Sequence, residues 1–149
     1  MNLPFLRHLP GLGRPPLHRI VAAAGATAAE AALHHLLAEL PELLLVVVVA
    51  VGSGQVLASY TSQPQLKPSH GAPFWVALVQ QLQASQAAQG QPDEQLEEVL
   101  TTLHSQLHLL RLQDNGRHLL YLVVDAHDTN LALARELVRQ AIKLLATAK

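Results

Sequence analysis

Nine consecutive residues, Leu43-Leu44-Leu45-Val46-Val47-Val48-Val49-Ala50-Val51, are apolar without interruption. Valine restricts its own side-chain torsion and favours extended backbone, so the run reads as a strand. A strand with one wet face would alternate apolar and polar residues; this one does not, which predicts a central strand covered on both faces. At nine residues it falls well short of the roughly 20 that a membrane-crossing helix needs. The chain must therefore place helices on two sides of a sheet, and this requirement sets its class as α/β.

The flanking sequence supplies those elements. A helix is predicted from Thr27, because Thr27 and Glu30 have the spacing of a capping box, with Leu33, Leu36, Leu37 and Leu40 on one face and Pro41 as its stop. Gly52-Ser53-Gly54 allows a tight reversal, and Gln55 to Thr61 can return as an antiparallel strand. Gln63 to Ala72 reads as a loop, and a middle helix starts near Pro73 with an apolar stripe of Trp75, Leu78, Val79 and Leu82. Glu94 to Leu112 fits either a helical or a two-residue period. Asp114-Asn115-Gly116 marks a hairpin between strands at roughly Leu107 to Gln113 and Arg117 to Asp125. A final helix, capped by Asp128 or Thr129, carries Leu131, Ala134, Leu137, Val138, Ala141, Ile142 and Leu145 on one face.

With 149 residues, half of them hydrophobic and 14% charged, the chain has the material for one packed domain. Met1 to Ala24, with prolines at 4, 10, 15 and 16, reads as a flexible N-terminal arm whose Leu3, Phe5, Leu6 and Leu9 could dock on the domain or a partner; residues 25–149 form the domain. A formal charge of −1 and no basic run argue against nucleic-acid binding. The absence of cysteine removes disulfides and thiolate chemistry and fits a reducing compartment. Prolines interrupt any secretory signal in the first ten residues, so a cytoplasmic location without membrane insertion is expected.

Candidate chemistry is sparse. His34-His35 diverge by about 100° on a helix, and His104 and His108 lie too far apart on a strand to share an ion, so no metal site is expected. Asp125, His127 and Asp128 at a strand-to-helix junction are read as capping groups. No Gly-Lys-Ser/Thr follows Gly52-Ser53-Gly54, so this is not a phosphate loop, and no G-x-S-x-G occurs. The chain is expected to have no catalytic residue, no cofactor and no enzymatic activity.

The order of elements, the hydrophobic strand followed by Gly54-Gln55-Val56-Leu57-Ala58-Ser59, the segment Leu96-Glu97-Glu98-Val99-Leu100, and His118 to Asp125 followed by Thr129-Asn130-Leu131-Ala132-Leu133-Ala134-Arg135 together resemble the Roadblock/dynein light chain family, in its bacterial, MglB-like form. The resemblance spans about Thr27 to Lys149. It implies a profilin-like α-β-β-α-β-β-β-α order, with a five-stranded antiparallel sheet between helices on both faces, and it resolves the ambiguous segment as a strand from about Glu98 to Ser105. It further implies a homodimer that binds and regulates a small Ras-like GTPase, as an activating protein that supplies no catalytic residue, or else a scaffold dimer with no GTPase partner. On this resemblance the dimer or partner surface is the middle helix, with Phe74, Trp75, Leu78, Val79 and Leu82 as its candidate residues; Phe74, one step off the stripe, is the better exposed contact.

Overall fold

A computed structural model describes residues 20–146. The valine run forms strand β2 (Leu45–Ala50), which pairs antiparallel with β3 (Val56–Thr61) on one side and β6 (His118–Asp125) on the other. Val46 and Val48 point into one apolar cluster, while Leu45, Val47 and Val49 point into a second. All five are at most 4% exposed. The missing alternation in the sequence thus reflects two cores, one on each face of the sheet.

Helices α1 (Thr27–Glu39) and α3 (Leu131–Ala146) cover the first face, and α2 (Pro68–Ala88) lies on the second. Strands β4 (Glu98–Thr102) and β5 (Gln106–Leu112) continue the sheet beyond β6. A two-residue strand β1 (Val21–Ala22) pairs with β3, giving the antiparallel order β1-β3-β2-β6-β5-β4. The sheet therefore has six strands where five were expected. The extra one comes from the end of the segment read as an arm: past the proline-dense stretch, Val21 and Ala22 pair with Ser59 and Ala58. Residues 1–19 of that arm, including Leu3, Phe5, Leu6 and Leu9, lie outside the described residues.

Several boundaries differ from the sequence reading for physical reasons. Thr27 is the first residue of α1 rather than its cap, and no side chain caps that end, so the predicted capping box does not form. Helix α2 starts five residues before Pro73, at Pro68, the proline that occupies the first turn. Pro73 sits inside the helix, where it forgoes one backbone hydrogen bond on the exposed side. The cap of α3 is Asn130, whose Oδ1 accepts the Leu133 N–H at 3.1 Å, and not Asp128 or Thr129. The Asp-Asn-Gly hairpin is closed with Gly116 at φ 72°, a left-handed conformation that suits glycine.

Edge strand β4 is tied to α3 by charge. The Glu98 carboxylate pairs with Arg135 of α3 at 2.6 Å and lies 3.8 Å from Arg111 of β5, with its side chain only 13% exposed. A carboxylate shielded this far from water holds both guanidinium groups in place, and its removal leaves Arg111, 14% exposed, without a counter-charge. Glu98→Ala is expected to lower stability by about 1–3 kcal/mol, measured by urea unfolding. An unchanged midpoint would show that the cluster contributes nothing to stability.

Candidate functional site

Helix α2 is 21 residues long, yet only Ala72 and Val79 are fully buried. The predicted stripe of Trp75, Leu78, Val79 and Leu82 is therefore only partly covered. The helix is rolled toward Ala72 and Val76, which brings Val76 against the second core and turns Leu78 outward. Trp75 and Leu82 are half-buried. Phe74 is 75% exposed and Leu78 37%, one helical turn apart on the same side. Phe74 is thus exposed, as its place one step off the stripe indicated, and Leu78 is exposed beside it.

Trp75 lies flat on Tyr121 of β6, with ring centroids 4.0 Å apart and planes 10° from parallel. Gly71, one turn earlier in α2, makes room for this stack: a Cβ there would collide with the indole. Beneath the stack, His108 of β5 meets Tyr121 edge-on. Gln106 Oε1 accepts from His108 Nε2 at 2.9 Å, which leaves Nδ1 to accept the Tyr121 hydroxyl at 2.6 Å. Burial holds the His108 imidazole below its usual pKa and pushes the Tyr121 phenol up. Both groups are thereby kept neutral, as the hydrogen-bond pattern requires. Sequence reading had no route to this cluster, because Trp75, His108 and Tyr121 come together only through the pairing of β5 with β6 and the roll of α2.

The stack forms one wall of a half-open cavity of about 200 Å³ at the start of α2, floored by Leu45, Leu66 and Val123, with Lys67 and His70 at its mouth. At one end of the sheet, β4 pairs with β5 alone among the described strands. The remaining candidates fall into local roles. His34 lies 3.7 Å from Glu30, His35 bonds Gln140 at 2.9 Å, and His104 is exposed in the β4–β5 turn. Asp125 Oδ1 accepts the N–H groups of His127 and Asp128 at 2.8 and 3.1 Å, which closes the turn before α3. No group of three or more His, Asp or Glu placed to hold a metal occurs among the described residues. No described helix is long and apolar enough to cross a membrane.

Comparison with known proteins agrees with this architecture. No family model and no curated protein sequence matches the chain. Solved structures do. The Myxococcus xanthus MglB structure superposes with a TM-score of 0.71 at 16% identity, covering 84% of this chain and 90% of that one. The gliding protein MglB of Thermus thermophilus gives 0.65 at 20% identity, covering 89% and 95%. A Roadblock/LC7 domain from Streptomyces avermitilis gives 0.63 at 17% identity, covering 76% and 90%. The chain has the Roadblock/LC7 fold, here with β1 added at one edge.

His108 and His118 both have their imidazole pKa lowered in the folded state, by burial and, for His118, by the neighbouring Arg117 as well. Each therefore binds a proton more readily when unfolded. The stability they contribute is complete above the ordinary value of 6.5 and is lost as the pH falls below it. The thermal midpoint is expected to drop as the pH is lowered from about 8 to about 5, and His108→Leu should flatten part of that drop. An identical pH profile in the variant would contradict the role given to His108.

Proposed function

We propose that this chain is a homodimeric interaction module that binds and regulates a small Ras-like GTPase without supplying a catalytic residue. The fold shared with MglB structures carries the reading, since it extends over nine-tenths or more of those chains. Another such structure is of MglB in a tetrameric arrangement, an assembly of that protein that favours self-association in this fold. The surface has features that suit partners. Phe74 and Leu78 stand exposed on α2 in a chain with only five aromatic residues, and a large apolar side chain left in water is favoured at contact sites. The edge of β4 that is unpaired among the described strands offers backbone groups to a second copy.

Regulation on this reading acts through surfaces that reshape the GTPase's own switch loops. The direct test is GTP hydrolysis by a small Ras-like GTPase from the same genome, measured with and without the protein, alongside light scattering of the protein alone. The expected outcome is binding in at least one nucleotide state, a changed hydrolysis rate and a mass of twice the 16.1 kDa chain. Phe74→Asp should weaken the complex or the dimer by about tenfold, a loss typical of one well-placed aromatic contact. A dimer with no effect on any nucleotide state would favour the scaffold reading, and a monomer that binds no GTPase would exclude both.

A further inference from the structure

The cavity at the start of α2 has a use that the exposed Phe74 face does not account for. Its volume, about 200 Å³, is below the roughly 300–1,000 Å³ of a site for a drug-sized molecule and suits one bulky side chain. Its walls are mainly apolar and aromatic, with Leu45, Leu66, Trp75 and Tyr121, and Gln65 and His108 add polar groups to the lining. Gly71 leaves the space in which the indole lies flat on Tyr121 as one wall.

Lys67 gives the mouth its formal charge, and the polar ring of His70 lies beside it. Lys67 and His70 stand there exposed, with no ion pair or hydrogen-bonding side chain among the described residues, and no carboxylate lines the cavity. The mouth also coincides with the positive end of α2, whose first turn contains no acidic residue although acids are favoured there. An apolar hole beside an uncompensated positive rim complements an apolar side chain accompanied by carboxylates. A second copy of α2 does not match it, since the helix Pro68–Ala88 contains no acidic residue to travel with Phe74.

From this we infer that the cavity receives an acidic segment of a partner protein, with one aromatic or leucine side chain seated against Trp75 and flanking aspartates or glutamates facing Lys67 and His70. The cavity is lined from α2 by His70, Gly71 and Trp75, in the same part of the helix as the exposed Phe74. The inference rests on the interaction-module reading and does not require the partner to be a GTPase.

Trp75 is the only tryptophan of the chain, so its emission reports occupancy of the cavity directly. The full chain is titrated with a capped pentapeptide of one phenylalanine flanked by aspartates, and with lysine-flanked and serine-flanked counterparts. The acidic peptide is expected to shift the Trp75 emission saturably and the other two far less. The double variant Lys67→Glu/His70→Glu, at two exposed positions, should bind about tenfold more weakly with its circular dichroism unchanged, while Lys67→Arg retains binding. Absence of a saturable shift, an equal response to the serine-flanked peptide, or undiminished binding by the double variant would overturn the inference. So would a change in oligomeric state in the double variant, which would assign the cavity to a second copy. A GTPase effect that persists while the peptide fails to bind overturns this inference alone, and peptide binding without any GTPase effect overturns only the GTPase reading.

Discussion

Two-sided burial of β2 is the constraint on which the rest of the molecule depends. A strand whose alternate residues enter different cores must be covered twice, and Val46 and Val48 on one side, with Leu45, Val47 and Val49 on the other, leave no face for water. The ladders to β3 and β6 satisfy its backbone within the sheet. Each layer is then assigned by what it buries: α1 and α3 pack together over one face, and α2 shields the other.

The two faces are covered unequally. Helix α3 buries six residues along a clear stripe, whereas α2, five residues longer, buries two. A helix held by few core contacts keeps much of its apolar surface free. Phe74 and Leu78 remain in contact with water, and the N-terminal end of α2 stands over a cavity that Trp75 and Tyr121 wall but do not fill. Burial is concentrated in β2, β6, α1 and α3, and α2 keeps the more exposed apolar surface.

Much of this was legible in the sequence because the signals are local. The unbroken valine run, the Asn-Gly hairpin and the periodic final helix each declare themselves within about 15 residues. Phe74 was separable from the stripe by a single step along a helix. What escaped is non-local. The partners of Glu98 lie 13 and 37 positions away along the chain, at Arg111 and Arg135, and the His108–Tyr121 pair exists only once β5 and β6 are in register. The roll of α2, with Leu78 outward and Val76 inward, puts the small residues Gly71 and Ala72 toward the sheet side, positions that an apolar-periodicity reading passes over. Strand β1 was missed because two residues after a proline-dense stretch carry no pattern of their own.

On the proposed function, a partner is recognised on the α2 side of the sheet. Backbone hydrogen–deuterium exchange of the chain with and without a small Ras-like GTPase tests it most directly, because it locates the contact without presuming an activity. The expected result is added protection confined to α2, around Phe74 to Leu82, with α1 and α3 unchanged. Protection appearing instead on α1 and α3, with α2 exchanging as it does in the free chain, would contradict it.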